Sequence, residues 1–285
     1  MLSQGIVFGL LSMLGYGLAN SLVKIPAGRI GNEKTVFYRT LFSSAMLFIV
    51  MILFLELTSF VLTYIIIAFM IAALGYVPLA SFYKSVETGK VGIVVPIANS
   101  SVMYTVLFSL LFYGESLSGL ETLSIILIIS GIILISLNLK SIKNSHIFSL
   151  KSGVPYALLT SLLWGAVFFL FKIPASVLGP FLTALIIESG IVIISAARLK
   201  YSGKGFSADR RSLVYVFFIG IFASAGILFF NIGIAFSGVS IVAAVAFSNP
   251  LISTLAGRIF FRERLSFKEY SAIGMLIAGI VILSV

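Results

Sequence analysis

The 285-residue chain has no cysteine, a single histidine and only nine acidic residues against 19 Lys and Arg. Without cysteine there is no disulfide, no thiol nucleophile and no cysteinyl metal site. The lone His146 lies in a polar stretch without ligand-like neighbours, so no metal centre is expected. Nine carboxylates leave hydrolytic chemistry few actors. No Gly-rich phosphate loop, paired-carboxylate site or Ser-His-Asp arrangement is present. No cofactor is expected, and the chain does not read as an enzyme. A net charge of +10 raises the question of nucleic acid, but there is no basic arm and no recognition motif. The charge sits in short connections between apolar runs, so no nucleic-acid partner is expected.

What is abundant is hydrocarbon. Hydrophobic residues make up 60% of the chain, charged residues 10%, and the mean hydropathy is +1.19. Those values exclude an ordinary soluble domain. The apolar runs are about 20 residues long, enough for a helix to cross the bilayer's hydrocarbon. Unalternating runs of that length fit helices rather than barrel strands. The fold class expected is therefore all-α integral membrane, with ten transmembrane helices near 3–24, 34–55, 62–84, 91–113, 118–138, 152–173, 178–198, 212–236, 240–261 and 266–285. The first 25 residues lack a basic leader and read as a span rather than a signal peptide.

The chain also repeats itself. Residues pair with those 148 positions further on without a gap, Lys24-Ile25-Pro26-Ala27 falling on Lys172-Ile173-Pro174-Ala175. The same register lays Gly17 on Gly165, Phe82 on Phe230, Ser100 on Ser248, Glu115 on Glu263 and Gly131 on Gly279. Three segments follow: a first five-helix repeat over 1–139, a connecting loop over 140–151 and a second five-helix repeat over 152–285. With an odd number of spans in each half, the second copy enters the bilayer upside down, giving two inverted five-helix repeats. Ser118 to Glu121 and Ser266 to Glu269 both fit the capping box at the start of a fifth helix, which accounts for those two glutamates. Every Lys and Arg except Lys172 falls in or beside the connections after helices 1, 3, 5, 7 and 9. Those connections are expected in the cytoplasm, with both termini outside a plasma (inner) membrane.

Further features carry a resemblance. Each half has Gly-Tyr-Gly or Trp-Gly in its first helix (Gly15-Tyr16-Gly17; Trp164-Gly165), followed by a lysine. A polar, Pro-containing fourth helix ends in Gly114-Glu115 or Arg262-Glu263, and a last helix carries Gly131 or Gly279. In this the chain resembles the EamA-type ten-helix transporters of the drug/metabolite transporter superfamily, over essentially its whole length. The resemblance implies a central cavity lined mainly by helices 1, 3 and 4 and by helices 6, 8 and 9. It further implies outward movement of amino acids, other small metabolites or drugs.

Candidate site residues follow from polarity inside apolar helices. Glu188, mid-way along helix 7, is a costly place for a carboxylate and is the proton-coupling candidate, or else an interior group paired with Arg39 or Lys172. Asn99 and Ser101 on helix 4 and Ser248 and Asn249 on helix 9 lie beside Pro96 and Pro250, the expected hinges. Asn20, Asn231, Tyr16, Tyr83, Tyr104, Trp164 and Phe168 complete the expected substrate-binding set. Lys24, Lys172 and Arg39 are expected as cations at the cavity mouth, and Glu115 and Glu263 at interfacial or gate contacts. The sequence reads as a monomeric secondary transporter, an exporter or exchanger of small organic metabolites such as amino acids, working by alternating access within the lipid bilayer. The alternatives are an antiporter of phosphorylated or nucleotide-linked metabolites and a non-transporting membrane scaffold or sensor.

Overall fold

The computed structural model describes residues 3–54, 60–136, 149–261 and 266–284, without the side chains of 91, 92, 136 and 256–261. Most of the connecting loop, including His146, and Glu263 lie outside the described residues. Among the described residues every regular element is helical.

Among the described residues ten spans run in chain order, and we number them so. Span 1 is Gln4–Leu22 continued by Lys24–Ile30, span 2 Asn32–Phe54 and span 3 Leu62–Thr88. Span 4 is Val91–Asn99 with Ser101–Phe112, and span 5 Gly119–Ser136. Span 6 is Val154–Leu170 with Lys172–Leu178, span 7 Pro180–Tyr201 and span 8 Arg210–Phe236. Span 9 is Val239–Ala246 with Pro250–Phe261, and span 10 is Phe267–Leu283. Among the described residues seven are long and apolar enough to cross a membrane on length and composition alone, spans 5 and 9 hold shorter apolar helices, and span 10 is a helix of 17 residues. This is a polytopic helical membrane protein.

Spans 1 and 6 run further than their hydropathy indicates, reaching Ile30 and Leu178 rather than residues 24 and 173. The cause is Pro26 and Pro174. A proline has no N–H for the carbonyl four residues back, here Leu22 and Leu170, where the helices break. It sits in the first turn of the next helical piece, where N–H groups lack intrahelical partners anyway, so the span kinks instead of ending. Both spans then stop at a glycine with almost the same backbone, Gly31 at φ +82° and Gly179 at φ +81°, 148 positions apart. Few side chains tolerate that left-handed conformation.

The repeats are interlocked. Span 1 packs on span 8, span 3 on span 6, span 2 on span 7 and span 5 on span 10, each pair joining one repeat to the other. At the seam of spans 1 and 8 a Cβ on Gly15 would come within 2.6 Å of the Gly226 backbone nitrogen, so the two backbones all but touch. Large apolar side chains such as Phe48, Ile52, Leu53 and Met70 lie more than half exposed on the outer surface, as a bilayer-facing surface requires. Many hydroxyls within the spans bond their own helix, as Thr40 donates to Val36 O at 2.8 Å and Ser109 to Thr105 O at 2.8 Å, while those of Ser44, Ser101 and Thr183 are buried without a partner among the described residues. Both fifth spans open on the expected capping boxes, with the Ser118 and Ser266 amides each donating to a glutamate oxygen at 2.7 Å.

Candidate functional site

The helices of span 4 and span 9 break at the same place in the repeat. Span 4 is interrupted at Ser100, where the Asn99 side-chain amide donates to Val95 O at 2.9 Å. Span 9 is interrupted over 247–249, and Pro250, with no N–H for Ala246 O, starts its second piece. Pro250 therefore adjoins its break, whereas Pro96 lies a turn ahead of the break in span 4. Breaks at this depth turn side-chain amides inward. Asn20 Nδ2 donates to Asn249 Oδ1 at 3.3 Å and Asn249 Nδ2 to Asn99 Oδ1 at 2.8 Å. Three amides from spans 1, 9 and 4 thus form one relay, ending on the Val95 carbonyl.

The relay borders a cavity of about 70 Å³, room for a few waters or part of a small solute. Tyr16, Asn20, Tyr83, Asn99, Trp164, Phe168 and Asn249 line it, all in the expected binding set. Phe82, Phe171 and Phe247 add apolar wall, and Phe168 is the hub of that wall, with ring centroids 4.7 Å from Phe247 and 5.1 Å from Phe171 and Phe230. Gly75, Leu79, Ile187 and Ile227 line it too. Apolar residues of this kind carry no sequence signal that separates lining from packing.

Glu188 and Arg39 supply the charge of the lining. Arg39 Nη1 donates to Glu188 Oε1 at 2.8 Å and Oε2 at 2.7 Å, with both side chains under a tenth exposed. The pair spans the repeats, Arg39 on span 2 and Glu188 on span 7. Arg39 is therefore not a mouth cation. The helix carrying it starts at Asn32, which sets the arginine seven residues, about 10 Å, along the span.

Other expected positions fall elsewhere. Ser101, Tyr104, Asn231 and Ser248 do not belong to the cavity lining. Ser248 Oγ donates back to Ala244 O at 2.9 Å and Asn231 Nδ2 to Ile227 O at 2.9 Å, serving their own helices. Tyr104 packs its Cβ where a side chain on Gly165 would lie, and Ser101 is buried in the same contact. Lys24 is exposed and lines nothing described. Lys172 lies outside the cavity, 3.3 Å from Glu115 and 5.1 Å from the centre of the Tyr113 ring.

That Glu115 contact is a second cross-repeat site. The carboxylate, in the connection after span 4, accepts from the amides of Val239 at 2.7 Å and Ser240 at 3.0 Å. These are the first turn of span 9, so repeat one caps a helix of repeat two. Burial alone would raise the Glu115 carboxyl, but the Ser240 and Val239 amides and Lys172 overrule it and hold it below the ordinary carboxylate value. At the opposite end the repeats are tied by Arg29 to Asp209 at 3.0 Å and by Glu33 to Lys204 at 2.8 Å and Arg198 at 3.5 Å.

Fold and site together define a helical membrane protein of two repeats around a mostly apolar cavity with a few polar groups in its wall. The EamA-like transporter family matches it twice, over residues 3–137 and 151–285, and the chain belongs to that family. An uncharacterized transporter of Archaeoglobus fulgidus is 26% identical over 219 residues, 73% of this chain and 71% of its own. A protein of Methanocaldococcus jannaschii is 29% identical over 143 residues, 99% of its own length but only 48% of this chain. That relative has about the length of one repeat. A solved crystal structure superposes with a TM-score of 0.75 over 98% of this chain and 95% of its own, at 14% identity, a likeness of fold alone.

Proposed function

We propose that this protein is a secondary transporter, an exporter or exchanger, that moves small organic metabolites, amino acids first among them, by alternating access. The observation that carries the reading is the cavity itself. Spans of both repeats build it, and it combines an aromatic wall, a three-amide relay and one compensated charge pair. Rocking one repeat against the other would expose such a site to each side in turn. Broken helices in spans 4 and 9 are where such a motion is most easily absorbed.

The charge pair bears on substrate. Arg39 and Glu188 cancel, so the lining carries no net charge and suits a net-neutral solute such as a zwitterionic amino acid. A phosphorylated metabolite calls for several converging cations, and Lys24 and Lys172 do not line this site. In this geometry Glu188 serves first as the counter-ion of Arg39. Protonating it would leave a buried guanidinium unpaired, so proton exchange at Glu188 requires Arg39 to find another anion at the same time. The protein works as a monomer in the plasma membrane, with the end that carries Arg29, Lys204 and Arg198 in the cytoplasm and both termini outside. No catalytic step is assigned to it.

Counterflow of a labelled amino-acid panel in liposomes, with and without a pH gradient and with Glu188→Gln alongside, tests this. Counterflow in the wild type supports the reading. A gradient response that vanishes with Glu188→Gln assigns the proton site, and indifference to the gradient makes the protein a facilitated exchanger. No counterflow of any amino acid removes them as substrates.

A further inference from the structure

The guanidinium of Arg39 is only half used. It carries five N–H donors in a planar fork, and the contact with Glu188 is made through Nη1 alone. Among the described residues Nε and Nη2 take no hydrogen-bond partner, although the side chain is only 7% exposed and borders the cavity. Neither nitrogen is among the fully buried polar atoms that lack a partner, and the residue lines the cavity, so a solute group there can accept from both. The neighbouring polar groups have their donors committed differently. Asn249 gives its amide hydrogens to Asn99 Oδ1 and to Ala246 O, and Asn99 gives to Val95 O. The relay orients Asn20 so that Nδ2 faces Asn249 and Oδ1 remains as an acceptor.

We infer that the free edge of Arg39 is the receptor for a carboxylate of the transported solute, and that Glu188 supplies the counter-charge that keeps the loaded arginine from demanding a net anion. This rests on the transporter reading above and deepens it. An arginine edge presents two parallel N–H groups that match the two oxygens of a carboxylate. The ammonium of a zwitterion then has Asn20 Oδ1, the Glu188 oxygens and the aromatic faces of Trp164 and Phe168 in the same lining. The class of solute selected is one with a free carboxylate and no net charge, and the residue that selects it is one that hydropathy places at the interface. Lysine does not replace it, since an ammonium keeps the charge opposite Glu188 but not the fork.

Thermal unfolding of the purified protein with leucine, 4-methylvalerate (carboxylate without ammonium) and leucinamide (ammonium without carboxylate) tests the assignment. Stabilisation by leucine and, more weakly, by 4-methylvalerate is expected, with none by leucinamide. Arg39→Lys should weaken leucine binding at least tenfold while the unliganded unfolding temperature stays close to the wild type. Should Arg39→Lys fail to fold, the ligand series on the wild type decides alone. Stabilisation by leucinamide equal to that by leucine overturns the inference, as does the absence of stabilisation by either carboxylate. Counterflow separates the two claims: a protein that exchanges some other solute yet ignores both carboxylates remains a transporter without this receptor.

Discussion

Glu188 and Glu115 are both carboxylates of a membrane protein that reach across from one repeat to the other, and their partners could hardly differ more. Glu188 lies 3% exposed beside the central cavity and is held by side chains, chiefly one nitrogen of Arg39 with the Ser43 hydroxyl beside it. Glu115 lies near one end of the bundle and is held by two backbone amides and a lysine that is 35% exposed. Backbone amides at a helix start are fixed in place, so Glu115 makes a tie between rigid elements. A guanidinium on a side chain can be shared, so the partner of Glu188 is free to take a second anion. The difference separates what holds the repeats together from what meets the solute.

Breaking the central pair should have the largest effect. Glu188→Ala strands a buried guanidinium, at a cost of about 3–5 kcal/mol, and thermal unfolding in detergent should show a greater loss than for Glu115→Ala or Asp209→Asn. Arg39→Gln with Glu188→Gln removes both charges together and should recover most of that stability without recovering amino-acid counterflow. Recovery of both would make the pair structural only.

Glu115→Ala should cost less, about 1–2 kcal/mol, the range of a lost helix cap. A loss as great as that of Glu188→Ala would erase the contrast between the two carboxylates. The acid dependence sharpens the same point. The Glu115 carboxyl is held below its ordinary 4.5 in the folded protein. A depressed folded value stabilises above the unfolded one and is lost as the pH falls through the folded one. The gap in unfolding temperature between the wild type and Glu115→Gln should therefore be level from about pH 6 to 8 and close as the pH drops below 4.5. A gap that widens in acid would contradict the assignment. The smallest effect is expected at Asp209, 40% exposed, where hydrogen bonds from Ser212 and the Arg29 pair hold the carboxyl down to about 2. Asp209→Asn should leave counterflow unchanged at neutral pH, and a loss there would give this outer tie a role in the cycle.

Much of the fold and part of the site are legible in the sequence. The ungapped register pairs Pro26 with Pro174 and the two capping boxes with each other, and the capping boxes form as read, whereas the breaks at Leu22 and Leu170 and the stops at Gly31 and Gly179 emerge only from the structure. Glu188, Asn99, Asn249, Tyr16 and Trp164 stand out as polar or amphipathic residues inside apolar runs, and they line the cavity. Ser248 and Asn231 stand out equally and do not. A hydroxyl or amide that serves its own helix four residues back has the same sequence signature as one that faces a solute. Arg39 was misplaced because hydropathy starts span 2 at residue 34, where an arginine five positions on can snorkel, whereas the helix begins at Asn32 and runs inward. The capping of span 9 by Glu115 depends on a loop from one repeat meeting a helix start of the other, which no local pattern records.

The most direct test of the central claim, that a solute occupies the cavity between the repeats and is reached from alternate sides, uses the absence of cysteine. Ala223 lines the cavity and is 2% exposed, so Ala223→Cys places a single thiol there. Its reaction with an impermeant maleimide is measured from each face of sealed vesicles, with and without leucine. The account predicts labelling from one face at a time, with leucine changing which face or the rate at it. Labelling that leucine does not alter, or that proceeds from both faces at once, would contradict it.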